Sequence, residues 1–351
     1  MKILHIVPGL NDPTNGIAVA AKLIAADQSK SKHEVEVVDT RDFIQSNNRT
    51  IRTIEQFSEV WVHSMWLPQT MRACWKVIRA GVPLVRMTHA NLDPLRYHYH
   101  GWKKRLVAPI ERWLFRHADR VVVTCEAEKK WCQQWGLKNE FEILDLKKYF
   151  QLDNVRMFEC SNAGNRGLHL SYRERAERKL KPPRLVALAE AVQAVVHHQT
   201  TPGSCPQDAN IIPNPQMPRK GLHLLYLGRR HPLKGVEFLE RAVAELNQSF
   251  EHSNNQNNRT IDLRIVSAAF GAEKEKIWQW CDVLVLPTLS ENFGLVVAEA
   301  LERGKSVITT DGAPAWEGQP GVIYLKGYRD GTAADRVRLL KDAIESINSG
   351  K

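Results

Sequence analysis

Short apolar runs rich in valine and isoleucine recur along this chain, and segments of helix length separate them. The first series lies at residues 2–7, 35–39, 59–64, 83–88, 120–125 and 141–145. Helix-length segments occupy 17–27, 68–80, 102–118 and 126–135. Strands that are apolar throughout and alternate with helices are typical of a parallel sheet covered on both faces. Residues 1–150 are therefore predicted to form one doubly wound α/β domain.

A second alternating series begins at residue 222. Its apolar runs are 222–228, 262–267, 283–288, 306–311 and 322–326, and its helices are expected at 235–249, around 270–281, at 293–304 and from Asp335 onward. The fold class is thus predicted to be α/β, with two Rossmann-like domains at 1–150 and 220–351.

The segment 151–219 fits neither series, because proline, glycine, asparagine and glutamine dominate its ends. We interpret it as an interdomain linker or insertion with at least one helix near 184–198. A long connection of this kind is uncommon inside a compact domain.

Composition narrows the class of protein. The chain has 351 residues, of which 43% are hydrophobic and 25% charged, as in a soluble globular protein. No apolar run reaches the length of a membrane span, and the start lacks the pattern of a signal peptide. Its six cysteines have no zinc-ligand spacing. We therefore expect a cytoplasmic chain with reduced thiols and no metal site.

The positive charge is concentrated in the first half of the chain. The first 150 residues hold 23 Lys and Arg against 16 Asp and Glu, whereas residues 221–351 hold 16 against 17. This bias suggests that the first domain meets an anionic partner, such as a phosphorylated glycan, an anionic membrane surface or nucleic acid.

Polar residues follow several predicted strands, where open α/β sheets bind ligands. Gly16 begins the first helix and would let a phosphate approach the backbone, although an ordinary strand-to-helix turn gives the same pattern. His89 follows the strand at 83–88, in a loop with Asn91 and Asp93. It is either a catalytic or a structural histidine.

Two cations follow the strand at 222–228. Arg229 and Lys234 lie in the sequence GRRHPLKG, with a glycine at each end and a helix directly after it. A guanidinium, an ammonium and a helix N-terminus together suit a diphosphate, and the alternative is a solvated basic loop.

The sequence SENFGLVVAEAL follows the strand at 283–288. Asn292, Phe293 and Gly294 would present backbone N–H groups at a helix N-terminus. Glu291 lies just outside that end, where the helix dipole alone would favour a carboxylate. Glu299 is flanked by apolar neighbours and therefore needs a partner, which a pair of ligand hydroxyls would provide.

Taken in order, these motifs resemble those of the retaining GT4 glycosyltransferases of the GT-B fold. ENFGLVVAEAL resembles the family's E-x-F-G-x4-E-A element, and GRRHPLKG its G-R-x4-K-G loop. NGIAVAAKL, VWVHSMWLP, VRMTHANLDP and RVVVTCEAE resemble elements of its first domain. The resemblance covers about residues 1–145 and 220–325.

The resemblance implies roles for individual residues. His89 and Glu291 are implied to be catalytic, near the reacting sugar. The donor, a nucleoside-diphosphate sugar, is implied to be bound by Gly16 under the phosphate, Arg229 and Lys234 on the diphosphate, Glu299 on the ribose, and the backbone N–H groups of Asn292, Phe293, Gly294 and Leu295 on the sugar and β-phosphate. It also implies retention of configuration, no cofactor and no essential metal.

Two departures from the family pattern stand out. Only residues 268–279 separate the strand DLRIVS from WCDVLVLP, where the family usually has a further strand-helix unit that forms part of the nucleobase pocket. The sequence IIPNPQ at 211–216 has proline where the family's turn has glycine.

The expected function is sugar transfer to a glycan or lipid-linked glycan acceptor in bacterial surface polysaccharide or lipopolysaccharide synthesis. The alternatives are a catalytically weak GT-B subunit that binds nucleotide sugars and a nucleotide-sugar epimerase. Nucleic acid is not an expected partner, because the basic segment lacks numerous interleaved aromatic residues.

The segment 97–120 has two possible roles. One face of its helix is predicted to carry Leu106, Val107, Ile110, Trp113 and Leu114, with five Lys and Arg side chains mostly around the other and Pro109 as a kink. It is either a domain helix with its apolar face in the core or a surface that meets anionic lipid or a phosphorylated glycan. The second role would place the protein on the inner face of the cytoplasmic membrane.

Overall fold

The computed structural model describes residues 1–45, 54–99, 101–150, 221–252 and 260–348. The expected linker at 151–219, the helix near 184–198 and the turn at 211–216 lie outside these residues. The domain boundaries drawn at 150 and 220 therefore stay predictions.

The N-terminal sheet contains six parallel strands in the order β2-β1-β3-β4-β5-β6. Their bounds are β1 Lys2–Val7, β2 Glu34–Asp39, β3 Glu59–His63, β4 Leu84–Met87, β5 Arg120–Val123 and β6 Phe141–Ile143. The order reverses between β1 and β3, and parallel α/β sheets bind ligands at the carboxyl ends of the strands beside such a reversal.

Six helices of this domain lie in the described residues, and side chains cap the N-termini of two of them. Their bounds are α1 Gly16–Lys30, α2 Thr40–Gln45, α3 Pro68–Ala80, α4 Pro94–His98, α5 Gly101–Arg116 and α6 Glu126–Gln134. The Asn15 side chain accepts a hydrogen bond from the N–H of Ile17 at the start of α1, and Asp93 does the same for Leu95 at the start of α4. The short helices α2 and α4 were not predicted.

The C-terminal sheet contains five parallel strands in the order β11-β10-β9-β7-β8. Their bounds are β7 Gly221–Leu227, β8 Thr260–Val266, β9 Val283–Leu286, β10 Ser306–Thr310 and β11 Val322–Leu325. The helices are α7 Val236–His252, α8 Gly271–Trp280, α9 Leu295–Glu302 and α10 Ala333–Asn348. Here the order reverses between β7 and β9.

The predicted α/β class and both parallel sheets are confirmed. Central strands are buried on both faces, as in β9, whose four residues are all inaccessible to solvent. Helix α8 directly joins β8 to β9, so the C-terminal sheet has no further strand at the position where the sequence is short. In the described residues, no helix is both long enough and apolar enough to cross a membrane.

Candidate active site between the two domains

The carboxyl ends of the two sheets face each other across a cleft. A Cβ atom placed on Gly16, at the start of α1, would lie 3.8 Å from Cδ1 of Leu295, the first residue of α9. Thr124, which follows β5, has its Oγ1 3.0 Å from Oδ1 of Asn292. Two of the predicted site residues, Gly16 and Leu295, therefore face each other from the two domains.

Helix α9 begins with an open N-terminus. Its N-cap is Gly294, with φ of +73°, and no side chain caps the helix. A Cβ there would lie 3.3 Å from both Glu291 Cγ and Leu286 Cδ2, so the turn needs glycine. Phe293 anchors the turn, since its ring is buried and stacks on Phe150. The first N–H groups of such a helix lack intrahelical partners and favour anions.

The carboxylate of Glu291 lies between two cations, one from each domain. Lys234 donates to its Oε2, and Arg96 Nη2 of α4 lies 3.7 Å from its Oε1. Burial alone would raise the pKa of Glu291, but Lys234 and Arg96 outweigh burial and hold that pKa below its usual value. Glu291 is therefore ionised at neutral pH.

The backbone of Asn292 differs from the sequence-based prediction. Its N–H donates to Oε1 of Glu291 at 2.9 Å instead of facing the cleft. The prediction that Asn292 contributes a free N–H group is therefore wrong for this conformation, because a carboxylate one residue earlier reaches that donor first. The helix itself begins at Leu295, two residues later than expected.

Arg229 and Lys234 flank the turn after β7, and within the described part of the chain Lys234 forms an ion pair whereas Arg229 forms none. The Arg229 side chain is exposed, and its charge helps lower the pKa of Asp12 after the two hydrogen bonds that Thr14 gives to that carboxylate. Asp12 lies in the loop between β1 and α1, so Arg229 stands close to the other domain. Gly235 ends the turn with φ of +61°, and a Cβ there would lie 2.2 Å from the Pro287 carbonyl oxygen.

Glu299 has the partner that its apolar surroundings require. Lys274 of α8 lies 2.8 Å from its Oε1 and 2.7 Å from its Oε2, and the Glu299 side chain is 15% exposed. A ribose would have to share this carboxylate with Lys274. No sequence motif pointed to Lys274, because α8 lies in the segment where the chain departs from the family pattern.

His89 lies in a strained, buried loop after β4. His89 and Ala90 have φ of +52° and +55°, which is uncommon for residues other than glycine. The buried Glu128 of α6 holds this loop, since its carboxylate accepts hydrogen bonds from the Thr88 hydroxyl at 2.6 Å and from the Ala90 N–H. Glu128 belongs to the TCEAE sequence, but no role was predicted for it.

The His89 ring contacts both domains. Its Nδ1 lies 3.3 Å from Asn292 Nδ2 and its Nε2 lies 3.0 Å from His63 Nδ1. Burial, with a smaller contribution from Arg96, lowers the pKa of His89 to about 3. His89 is therefore neutral at pH 7.

A second set of contacts joins the domains beside the cleft. The buried carboxylate of Asp93 accepts two hydrogen bonds from Arg329, one of them at 3.1 Å, and one from the Ser290 hydroxyl at 2.6 Å. Arg96 donates to the Ser290 hydroxyl at 2.9 Å and lies 3.5 Å from the His89 carbonyl oxygen. Arg96, Arg329 and Ser290 had no predicted role.

Helix α5 does not bury the apolar face predicted for it. Leu114 is buried and Val107 is partly buried, but Leu106 is 70% exposed, and Ile110 and Trp113 are also exposed. Trp102 extends the same exposed row at 64% exposure. The apolar residues of α5 therefore divide into a buried side and an exposed side, because the domain covers only part of the predicted apolar face. The helix continues through Pro109.

Among the described residues, no three or more His, Cys, Asp or Glu side chains form a group that could hold a metal ion. The side chains that would face a phosphate are cations.

A comparison with curated protein sequences found no match.

Each domain matches a known glycosyltransferase family. Residues 43–141 match the glycosyl transferase 4-like domain, and residues 221–342 match the glycosyl transferases group 1. The two matched segments lie in different domains, on opposite sides of the cleft.

Solved structures show the same arrangement of two domains. The chain is similar to HepE from Anabaena, solved with UDP, at 14% identity and a TM-score of 0.56, covering 99% of this chain and 91% of that one. Sucrose-phosphate synthase from Thermosynechococcus elongatus has 14% identity and a TM-score of 0.58, and the match covers 99% of this chain and 89% of that one. A trehalose-phosphate synthase from Burkholderia xenovorans has 10% identity and a TM-score of 0.51, and the match covers 99% of this chain and 92% of that one. The fold is therefore GT-B, and the two family matches support a glycosyltransferase.

Proposed function

We propose that this protein is a retaining glycosyltransferase that moves a sugar from a nucleoside-diphosphate sugar to a glycan or lipid-linked glycan, in bacterial surface polysaccharide or lipopolysaccharide synthesis. One observation carries the proposal. The uncapped N-terminus of α9 lies beside Gly16, Lys234 and Arg96 both reach Glu291 at that end, and the exposed Arg229 lies near enough to Asp12 in the β1–α1 loop to lower its pKa. That combination is suited to a diphosphate leaving group.

In this proposal the free protein uses Glu291 as a substitute anion. Lys234 and Arg96 pair with Glu291, and a diphosphate would compete for the same two cations. Its arrival would free the Glu291 carboxylate to contact the donor sugar. Leaving-group charge is then stabilised by side chains and a helix dipole, so the reaction needs neither a metal nor a cofactor.

The test is product analysis with a panel of nucleotide sugars and phosphorylated or lipid-linked glycan acceptors, in excess chelator. We expect a new glycosidic bond with the donor's anomeric configuration, and Lys234→Met should weaken diphosphate binding by about ten- to a hundredfold. Lys326→Met, in an exposed ion pair with Glu317, is the matched control.

Other products would contradict transfer. An epimerised nucleotide sugar without a new bond would identify an epimerase. Binding without turnover on any acceptor would identify a GT-B binding subunit. A strict requirement for magnesium or manganese would contradict the proposed role of the three cations.

We also propose that helix α5 docks on an anionic bilayer. Its exposed row of Trp102, Leu106, Ile110 and Trp113 is flanked by basic side chains, and the acidic Glu111 within it is buried against Arg86. An apolar row flanked by cations matches the interface of an anionic membrane in both polarity and charge. A lipid-linked acceptor would be reached from such a surface.

Flotation with vesicles tests this docking. The protein should float with phosphatidylglycerol vesicles and not with phosphatidylcholine vesicles, and Leu106→Asp with Ile110→Asp should abolish flotation. Trp102→Ala removes one tryptophan of the exposed row and should weaken flotation. Its control is Trp75→Ala, at an exposed tryptophan of α3. Equal flotation of all variants, or none with the wild type, would contradict membrane docking.

A further inference from the structure

Three histidines form a buried row that runs from within β1 toward the carboxyl ends of β3 and β4. His5 lies in β1, His63 ends β3, and His89 follows β4, so they come from three neighbouring strands. All three are at most 1% exposed. Their ring centroids are 5.2 Å apart at each step.

Hydrogen-bond distances connect the row from end to end. His5 Nδ1 lies 2.9 Å from His63 Nε2, and His63 Nδ1 lies 3.0 Å from His89 Nε2. At one end, His5 Nε2 lies 2.7 Å from Oε1 of Gln28, which is half-buried on α1. At the other end, His89 Nδ1 lies 3.3 Å from Nδ2 of Asn292, in the cleft.

The chemistry of imidazole makes this row directional. Burial lowers the pKa of His5 to about 4 and that of His63 well below its usual value, so the rings are neutral at pH 7. A neutral imidazole has one N–H donor and one acceptor nitrogen. Each ring must therefore donate to one neighbour and accept from the other, and all three must share one tautomer.

The end of the row at Gln28 sets the direction. The amide oxygen of Gln28 only accepts, so His5 must carry its proton on Nε2. His63 then donates to His5, and His89 donates to His63, each from Nε2. This leaves the Nδ1 lone pair of His89 facing the cleft, where the Asn292 amide donates to it.

We propose that Gln28, His5 and His63 are positioning residues that fix His89 in its Nε2–H tautomer and present its Nδ1 as a hydrogen-bond acceptor for a hydroxyl group of the bound sugar. The hydroxyl would replace the Asn292 amide as the donor. The role of the hydroxyl rests on the proposed function, whereas the shared tautomer rests on the row alone. The opposite tautomer would require both terminal amides, those of Gln28 and Asn292, to be reversed.

Long-range proton–nitrogen NMR on histidine-labelled protein tests the tautomer without any substrate. We expect His5, His63 and His89, assigned by single substitutions, to be neutral Nε2–H tautomers at pH 7. A Nδ1–H tautomer at His89, or different tautomers within the row, would overturn the proposal.

Substitutions at Gln28 test the transmission along the row. Gln28 does not touch the cleft, so Gln28→Leu should shift His89 toward a tautomer mixture and lower kcat several-fold, while the diphosphate Kd stays unchanged. Gln28→Glu keeps a hydrogen-bond acceptor for Nε2 of His5, so this variant should have the wild-type tautomer of His89 and the wild-type kcat. Gln134→Leu, at an exposed glutamine on α6, should change neither.

The outcomes separate this proposal from the proposed function. An unchanged His89 tautomer in Gln28→Leu would refute the row's role, and the wild-type spectrum decides the matter if that variant does not fold. A protein with the expected tautomers that transfers no sugar would refute the proposed function while leaving the row in place.

Discussion

Two glutamates of the same segment have different partners, which makes their roles separable. Glu291 is shared by Lys234 and Arg96, the cations proposed to bind the diphosphate, whereas Glu299 is held by Lys274. Loss of the Glu291 carboxylate would free the two cations proposed to bind the diphosphate. Loss of the Glu299 carboxylate would remove the acceptor proposed for the ribose hydroxyls.

We expect Glu299→Gln to weaken binding of the free nucleoside diphosphate. A hydrogen bond to a charged group contributes roughly 1.5–3 kcal/mol, which is about ten- to a hundredfold in affinity. Glu291→Gln should leave diphosphate affinity unchanged or raise it, because Lys234 no longer has a competing anion, and should lower turnover. Calorimetry with diphosphate and single-turnover transfer measure the two effects.

The control for both variants is Glu317→Gln, whose carboxylate forms an exposed pair with Lys326. It should behave as the wild type. If Glu291→Gln weakened diphosphate binding as much as Glu299→Gln did, the proposed separation of sugar and ribose contacts would be wrong.

Residues with a motif could be singled out from the sequence, but their partners could not. Gly16, His89, Lys234 and Glu291 were predicted because each follows an apolar strand. Arg96, by contrast, lies in the five-residue helix α4, which has too few residues to show helical periodicity. Arg96 contacts Ser290, which lies 194 positions away in the chain.

At the level of elements, three adjacent strands carry buried neutral histidines, within the strand or shortly after its end, so the free energy of unfolding should depend on pH. An unfolded chain protonates histidine near pH 6.5, but burial lowers the pKa of His5 to about 4 and that of His89 to about 3. The stabilisation is therefore complete above about pH 6.5 and is lost as the pH falls toward these values. Around His5, only Glu59 opposes the shift by its charge.

Each such histidine should lower the free energy of unfolding by about 1.4 kcal/mol per pH unit below about pH 6. Removing one in His5→Gln should reduce the slope of stability against pH by that amount. Urea titrations of wild type and variant at pH 7, 6 and 5 measure it. His117→Gln, at an exposed position, should keep the wild-type slope; equal slopes in all three proteins would contradict the prediction.

The strands could be predicted because burial on both faces leaves a continuous apolar run, and the long helices because burial on one face leaves a periodic pattern. Helix α5 shows the limit of that reasoning. Its apolar residues share a broad face in sequence, yet the domain covers only the side with Leu114 and leaves Leu106 exposed. Periodicity shows which residues could be buried, but the packing of neighbouring elements decides which are.

At the scale of the whole molecule, one buried ion pair helps hold the cleft closed. Asp93 is completely buried and the Arg329 side chain is 14% exposed. Removing one partner of a buried pair leaves the other uncompensated, which typically costs about 3–5 kcal/mol. This free energy destabilises the closed arrangement, because opening the cleft would expose the Asp93 carboxylate to water.

We therefore expect Arg329→Met to open the molecule in solution. Its radius of gyration by small-angle scattering should exceed that of the wild type, and diphosphate affinity should fall because the closed arrangement is less populated. Arg338→Met, which removes an exposed pair on α10, should change neither quantity. A compact Arg329→Met protein with normal affinity would show that other contacts hold the domains.

The same contacts bear on how such a molecule can be rebuilt. Several polar links across the cleft come from residues in loops or in the short helix α4: His89, Asp93, Arg96 and Thr124 on one side, and Ser290, Glu291, Asn292 and Arg329 on the other. A chimera that exchanges the whole N-terminal domain has to preserve this short complementary set, together with the stacking of Phe150 on Phe293. Grafting His89, Asp93, Arg96 and Thr124 is therefore the first step in pairing this C-terminal domain with a new N-terminal domain.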